Sequence, residues 1–82
     1  MKIRVTKHAK IKINQRNIQM KDIERIVQNP QIKEQDKFDK TLTHFVGSVQ
    51  GRFLRVIGKR ENEGEFLIIS AFYDRRLKRR MT

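Results

Sequence analysis

Glu65 to Tyr73 reads EFLIISAFY, the most apolar run in the chain, and it limits the folds open to so short a sequence. At this length it suits a strand inside a sheet better than a helix. Strict alternation puts Phe66, Ile68 and Phe72 on one face and Leu67, Ile69, Ala71 and Tyr73 on the other, so both faces need cover. With 82 residues the chain is expected to form a single domain over 1–82, with a basic C-terminal tail at 75–82. A domain of that size buries about 60 to 65% of its unfolded surface, enough for one core but no deep chamber.

Other strands are readable around that run. Thr41 to Val49 (TLTHFVGSV) has β-branched and aromatic content, Gln50-Gly51 signals a turn, and Arg52 to Gly58 (RFLRVIG) returns as the second half of a hairpin. Arg60 to Gly64 (RENEG) reads as a second turn. Gln31 to Phe38 is polar and reads as irregular chain or an edge strand, anchored by Ile32 and Phe38. In RFLRVIG, Leu54 and Val56 share one face, while Arg55 shares the other with Phe53 and Ile57. A guanidinium among apolar side chains either snorkels to the rim or is held for a ligand. A shallow cleft where Arg55 meets Tyr73, near the strand ends, is the expected geometry.

The N-terminal part follows another period. Lys2 to Val5 alternates charged and β-branched residues, as a short edge strand does. A first helix is expected over about 7–16, with Thr6 as N-cap and Asn17 as stop. At about 100° per residue it sets His8, Lys12 and Arg16 on one stripe beside an apolar seam of Ala9 and Ile13. That stripe suits an anion, and the plain alternative is a basic surface helix. In the next segment Met20, Ile23, Ile26 and Val27 mark an amphipathic helix that Pro30 ends. The two helices form a hairpin. A helix-turn-helix DNA reader is the other use of such a pair, but no third helix supports it.

Net charge is +11, and it is placed unevenly. Residues 1 to 21 carry Lys2, Arg4, Lys7, Lys10, Lys12, Arg16 and Lys21 with no acid, and 75 to 82 carry Arg75, Arg76, Lys78, Arg79 and Arg80 with none. Between them the charges nearly cancel. The two ends are therefore expected to converge on one basic surface, for which nucleic acid is the first partner and an acidic protein the second. An anionic membrane ranks third, because Thr6 to Asn17 has few large apolar residues to anchor it. No run is long enough for a membrane span, and MKIRVTK lacks a signal-peptide core, so a cytoplasmic protein with no membrane partner is expected. Without cysteine there are no disulfides or thiolate metal sites.

In order, His8-Ala9 with Lys12, Arg16 and Ile18, then Asp22 to Pro30, Arg52 to Ile57 and Ile69 to Tyr73, resemble a small domain family of unknown function grouped with RelE/ParE-like toxins. The resemblance covers nearly the whole chain. It implies an α+β fold of β-α-α-β-β-β order, a helical hairpin on a three- to four-stranded antiparallel sheet. It also implies a toxin-like, metal-independent activity on RNA, free or ribosome-bound, and an acidic antitoxin partner. Two positions depart from the family pattern. Lys12 stands where Arg is common, and Gln19 where a Ser N-cap is common, which predicts a less bidentate phosphate contact and a weaker start to the second helix.

Cutting RNA through its own 2′-hydroxyl needs a base, an acid for the leaving oxygen and cations for the charge building on phosphorus. Histidine suits the first two roles, and the chain has only His8 and His44. Tyr73 is a candidate donor, with Arg16, Arg52 and Arg55 as charge clamps. Lys12, Arg52, Arg75, Arg76, Lys78, Arg79 and Arg80 are candidates for nucleic-acid contact. Each has a structural alternative: a helix-end role for His8, a half-buried strand residue in His44, a core tyrosine in Tyr73, a solvated tail. No cofactor is expected. The carboxylates lack metal-ligand spacing, the glycines are dispersed rather than gathered in a phosphate loop, and Ser48 and Ser70 lack a nucleophile elbow. The expectation is a toxin-type endoribonuclease. The alternatives are a non-catalytic nucleic-acid-binding or regulatory module and a ParE-like toxin directed at protein.

Overall fold

A computed structural model describes residues 2–77. Two helices cover one face of a five-stranded sheet, in the order β1 (Lys2–Val5), α1 (Lys7–Gln15), α2 (Met20–Gln28), β2 (Ile32–Gln35), β3 (Thr43–Val49), β4 (Arg52–Asn62) and β5 (Glu65–Tyr73). The α+β class and the helical hairpin agree with the expectation. The sheet does not: it has five strands in the order β1-β5-β4-β3-β2, and β1 pairs with β5 in parallel, so it is mixed. The polar segment after Pro30 supplies the extra strand, because β3 offers it a complete ladder from Ile32↔Val46 to Gln35↔Thr43. No helix among the described residues is long and apolar enough to cross a membrane.

The ends of α1 are built as its sequence suggests. Thr6 Oγ1 accepts the Ala9 amide at 3.1 Å. Asn17 adopts φ 55°, its amide donates to the Asn14 carbonyl, and the Ile18 amide donates to that of Ile13. This pair of bonds is the Schellman stop, and Ile18 buries its side chain just beyond it. Helix α2 starts at Gln19 with no side-chain cap, as its departure from Ser predicted.

Ile13, Ile23, Ile26 and Val27 pack onto Phe45, Leu54, Val56, Phe66, Ile68 and Ala71. Gln50 (φ 51°) and Gly51 (φ 77°) make the left-handed pair of a type I′ hairpin turn. The turn expected at Arg60–Gly64 is tighter: β4 continues through Asn62, leaving only Glu63 and Gly64 to reverse the chain.

Strict alternation fails in β5. Ile57 pairs with Ser70 but Gly58 pairs with Ile68, so Ile69 is an extra residue and the faces exchange there. Phe66 and Ile68 lie on the helical face before the bulge, and Ala71 and Tyr73 after it. Phe72, expected beside Phe66, instead sits opposite Arg55 on the other face. Gly58 makes room for this, since a Cβ there would lie 2.5 Å from Phe66 Cε2.

Candidate functional site

On the face away from the helices, β2, β3 and β4 bring together side chains that are remote in sequence. Glu34 is paired across the ladder with His44, and His44 with Ile57. Arg55, two residues before Ile57, therefore projects from the same face. Its Nη1 lies 2.7 Å from His44 Nδ1 and donates to Glu34 Oε1 at 3.1 Å, while Nε donates to Asp74 Oδ2 at 3.0 Å. On the far side of the imidazole, His44 Nε2 lies 2.7 Å from Asp36 Oδ1.

A guanidinium can only donate, so Nδ1 must accept from it and Nε2 must carry the ring proton that Asp36 receives. One tautomer is thus selected by its neighbours. Every buried side-chain polar atom among the described residues has a partner. Nη2 of Arg55 has no hydrogen-bond partner among the described residues.

Three aspartates are held ionised. Asp36 is lowered to about 2, chiefly by the Asp39 amide, then by His44 and the Phe38 amide. Asp39 is lowered by the hydroxyl and amide of Thr41. For Asp74, burial pushes upward, but hydrogen bonds from Arg55 and the Arg76 amide, with the two guanidinium charges, outweigh it and leave the carboxyl below its ordinary value.

This cluster lines a cavity of about 430 Å³ that Phe72, Leu77 and Phe38 also help to enclose. Glu34, Asp36 and Asp74 are balanced there by Lys37, Arg55 and Arg76. The site is a charge-paired groove with a guanidinium on its wall and an oriented histidine. It can receive one anionic group and move one proton. Among the described residues no group of three His, Cys, Asp or Glu side chains is placed to hold a metal.

The other candidates lie elsewhere. Tyr73 faces the helical side, paired with Leu54, so the expected meeting with Arg55 does not occur. Its ring carries the Arg52 guanidinium at 3.6 Å, and both line a second cavity with Arg75. Arg16 reaches the same strand, donating to the Ala71 carbonyl at 2.9 Å. Arg16 of the first basic stretch and Arg75 of the second thus both lie toward the C-terminal end of β5, while Arg76 lines the cavity at Arg55. His8 is exposed at the start of α1, on the helical side and away from Arg55, and Lys12 is half-buried on the same helix. Lys78, Arg79 and Arg80 lie outside the described residues.

Nothing read from the sequence marked Glu34, Asp36 and Asp74 as partners of the two basic groups. A signal for Asp36 was present: Asp36 and Asp39 in DKFDKT have the spacing of successive Asx turns, and both carboxylates bond amides two or three residues on.

In comparison with known proteins, residues 5–73 match the model of a family described as a domain of unknown function, DUF4258. The matched span runs from the end of β1 to the end of β5. No curated protein and no solved structure matches the chain.

Proposed function

The chain belongs to the DUF4258 family, and from that premise we propose that it is a metal-independent endoribonuclease acting on RNA, free or on the ribosome. In this reading it is the toxin of a RelE/ParE-like toxin–antitoxin pair with an acidic antitoxin. The observation that carries the reading is His44, held between Asp36 and Arg55 on the wall of an open cavity.

An incoming phosphodiester competes for the Arg55 guanidinium and frees Nδ1. That nitrogen takes the proton of the 2′-hydroxyl, while Asp36 keeps Nε2–H in place and stabilises the imidazolium. The 2′-oxygen bonds to phosphorus and the bond to the 5′-oxygen breaks. The departing oxygen takes a proton from water at the cavity mouth, and the imidazolium returns its own to solvent. Arg55 meets the negative charge that builds on the phosphoryl oxygens. The products are a 2′,3′-cyclic phosphate and a 5′-hydroxyl.

A second reading has its own observation. Arg52 stacked on Tyr73, with Arg16 and Arg75 nearby, is a cationic and aromatic surface. It suits a non-catalytic nucleic-acid-binding module.

The test is cleavage of end-labelled RNA by purified protein in excess chelator, with and without ribosomes. The proposal expects cyclic-phosphate ends and a loss of about 10²- to 10⁴-fold in His44→Ala, with folding checked by circular dichroism. Intact RNA in both conditions rejects the ribonuclease. Salt-dependent binding without cleavage, weakened by Arg52→Ala, supports the second reading instead.

A further inference from the structure

Phe38 is 95% exposed, although the sequence reading made it an anchor for β2. Its loop is not loose. Asp36 Oδ2 accepts the amides of Phe38 and Asp39 at 3.1 and 2.9 Å, and Asp39 Oδ1 accepts the amide and hydroxyl of Thr41 at 3.0 and 2.6 Å. Gln35 Nε2 adds a bond to the Lys40 carbonyl at 2.8 Å. The chain on either side of Phe38 is tied down with the ring directed outward.

The loop is also coupled to the histidine. Asp36 uses Oδ2 for the loop and Oδ1 for His44 Nε2, so one carboxylate positions both the aromatic ring and the imidazole. Phe38, His44 and Arg55 border the same cavity.

We propose that Phe38 is a stacking platform for an unpaired nucleobase, placed so that the adjoining phosphate enters the cavity at Arg55 and His44. This rests on the RNA reading above and deepens it by assigning single-stranded nucleic acid as the substrate class. Its surroundings favour a base over a protein surface. A protein hot spot sits within a wider apolar patch that excludes water, whereas Phe38 is flanked by Lys37, Asp39 and Lys40, all exposed. The other large exposed hydrophobics, Ile11 and Met20, belong to the helices. An aromatic face beside lysines is what a base with its phosphates requires.

The chain has no tryptophan, so Phe38→Trp puts a single indole at the proposed contact, excited apart from Tyr73 at the red edge of its absorption. The titrant is a single-stranded RNA of about ten nucleotides carrying 2′-O-methyl groups to prevent cleavage, matched by an abasic strand of equal length. The proposal expects the base-bearing strand, and not the abasic one, to quench the indole. It also expects Phe38→Ala to weaken binding of the base-bearing strand by about 5- to 100-fold, the worth of one stacked base, with the abasic strand unaffected. Because the ring is exposed, the Ala variant should retain the native circular dichroism spectrum. If the RNA binds by anisotropy but leaves the indole unquenched and the Ala variant unweakened, the stacking role is overturned while the RNA reading survives. If neither strand binds the wild-type protein, both are overturned.

Discussion

Removing the Asp74 carboxylate tests whether the charged cluster is a built part of the fold. The Asp74 side chain is 6% exposed and that of Arg55 11%. Asp74→Ala strips Arg55 Nε and the Arg76 amide of their acceptors. Breaking a buried ion pair on one side costs about 3 to 5 kcal/mol. Arg55 keeps Glu34 and His44, so the expected loss is smaller, about 2 to 3 kcal/mol. For a domain of this size that lowers Tm by about 8 to 24 °C. Urea unfolding followed by circular dichroism measures it, with the slope unchanged if only the native state is affected. Adding Arg55→Met to Asp74→Ala removes the stranded charge and should recover about 1 kcal/mol or more relative to additivity. A loss below about 0.5 kcal/mol in Asp74→Ala, together with additive behaviour, would refute the idea that the pair is integral to the face.

Gly58→Ala forces a methyl against the Leu67 carbonyl and the Phe66 ring; equilibrium unfolding should show a loss of about 3 kcal/mol. Acid should open the groove before neutral conditions do. The carboxyls of Asp36, at about 2, and Asp74 are depressed in the folded state, so the unfolded chain binds more protons below the ordinary value of 3.8. Their stabilisation is present above about pH 4 and falls as pH drops toward 2, and an acid titration of wild type against Asp36→Asn should show a smaller loss in the variant. Tyr73→Phe, on the opposite face from His44, should leave RNA cleavage within about twofold of wild type, whereas a proton-donor role would make it fall by about 10²-fold or more.

The local chemistry of the fold was legible and its long-range pairing was not. Thr6, Asn17 and Pro30 bound the two helices because caps and stops act over a few residues. Gln50-Gly51 marked a hairpin turn for the same reason. The bulge at Ile69 has no local signature in EFLIISAFY. It follows from the small space above Gly58 that Phe66 fills, so the faces of Phe72 and Tyr73 could not be assigned by alternation. Parallel pairing of β1 with β5 joins opposite ends of the chain and leaves no mark in either segment. Arg55 stood out as a guanidinium among apolar neighbours, either snorkelling or held for a ligand, but its partners Asp74, Glu34 and His44 reach it from three other parts of the chain. Phe38 was misread because its hydrophobicity suggested burial, while the Asx turns on either side dictate exposure.

The central claim is that polyanion enters on the His44–Arg55 face and not on the helical one. Nitrogen-15 NMR of the labelled protein, titrated with 2′-O-methyl RNA that cannot be cut, tests this directly. The account predicts that the His44 ring nitrogens and Arg55 Nε shift first, as the guanidinium turns from Nδ1 to phosphate. Shifts confined to α1, Arg16, Arg52 and Tyr73, with the His44 and Arg55 signals unmoved, would contradict it.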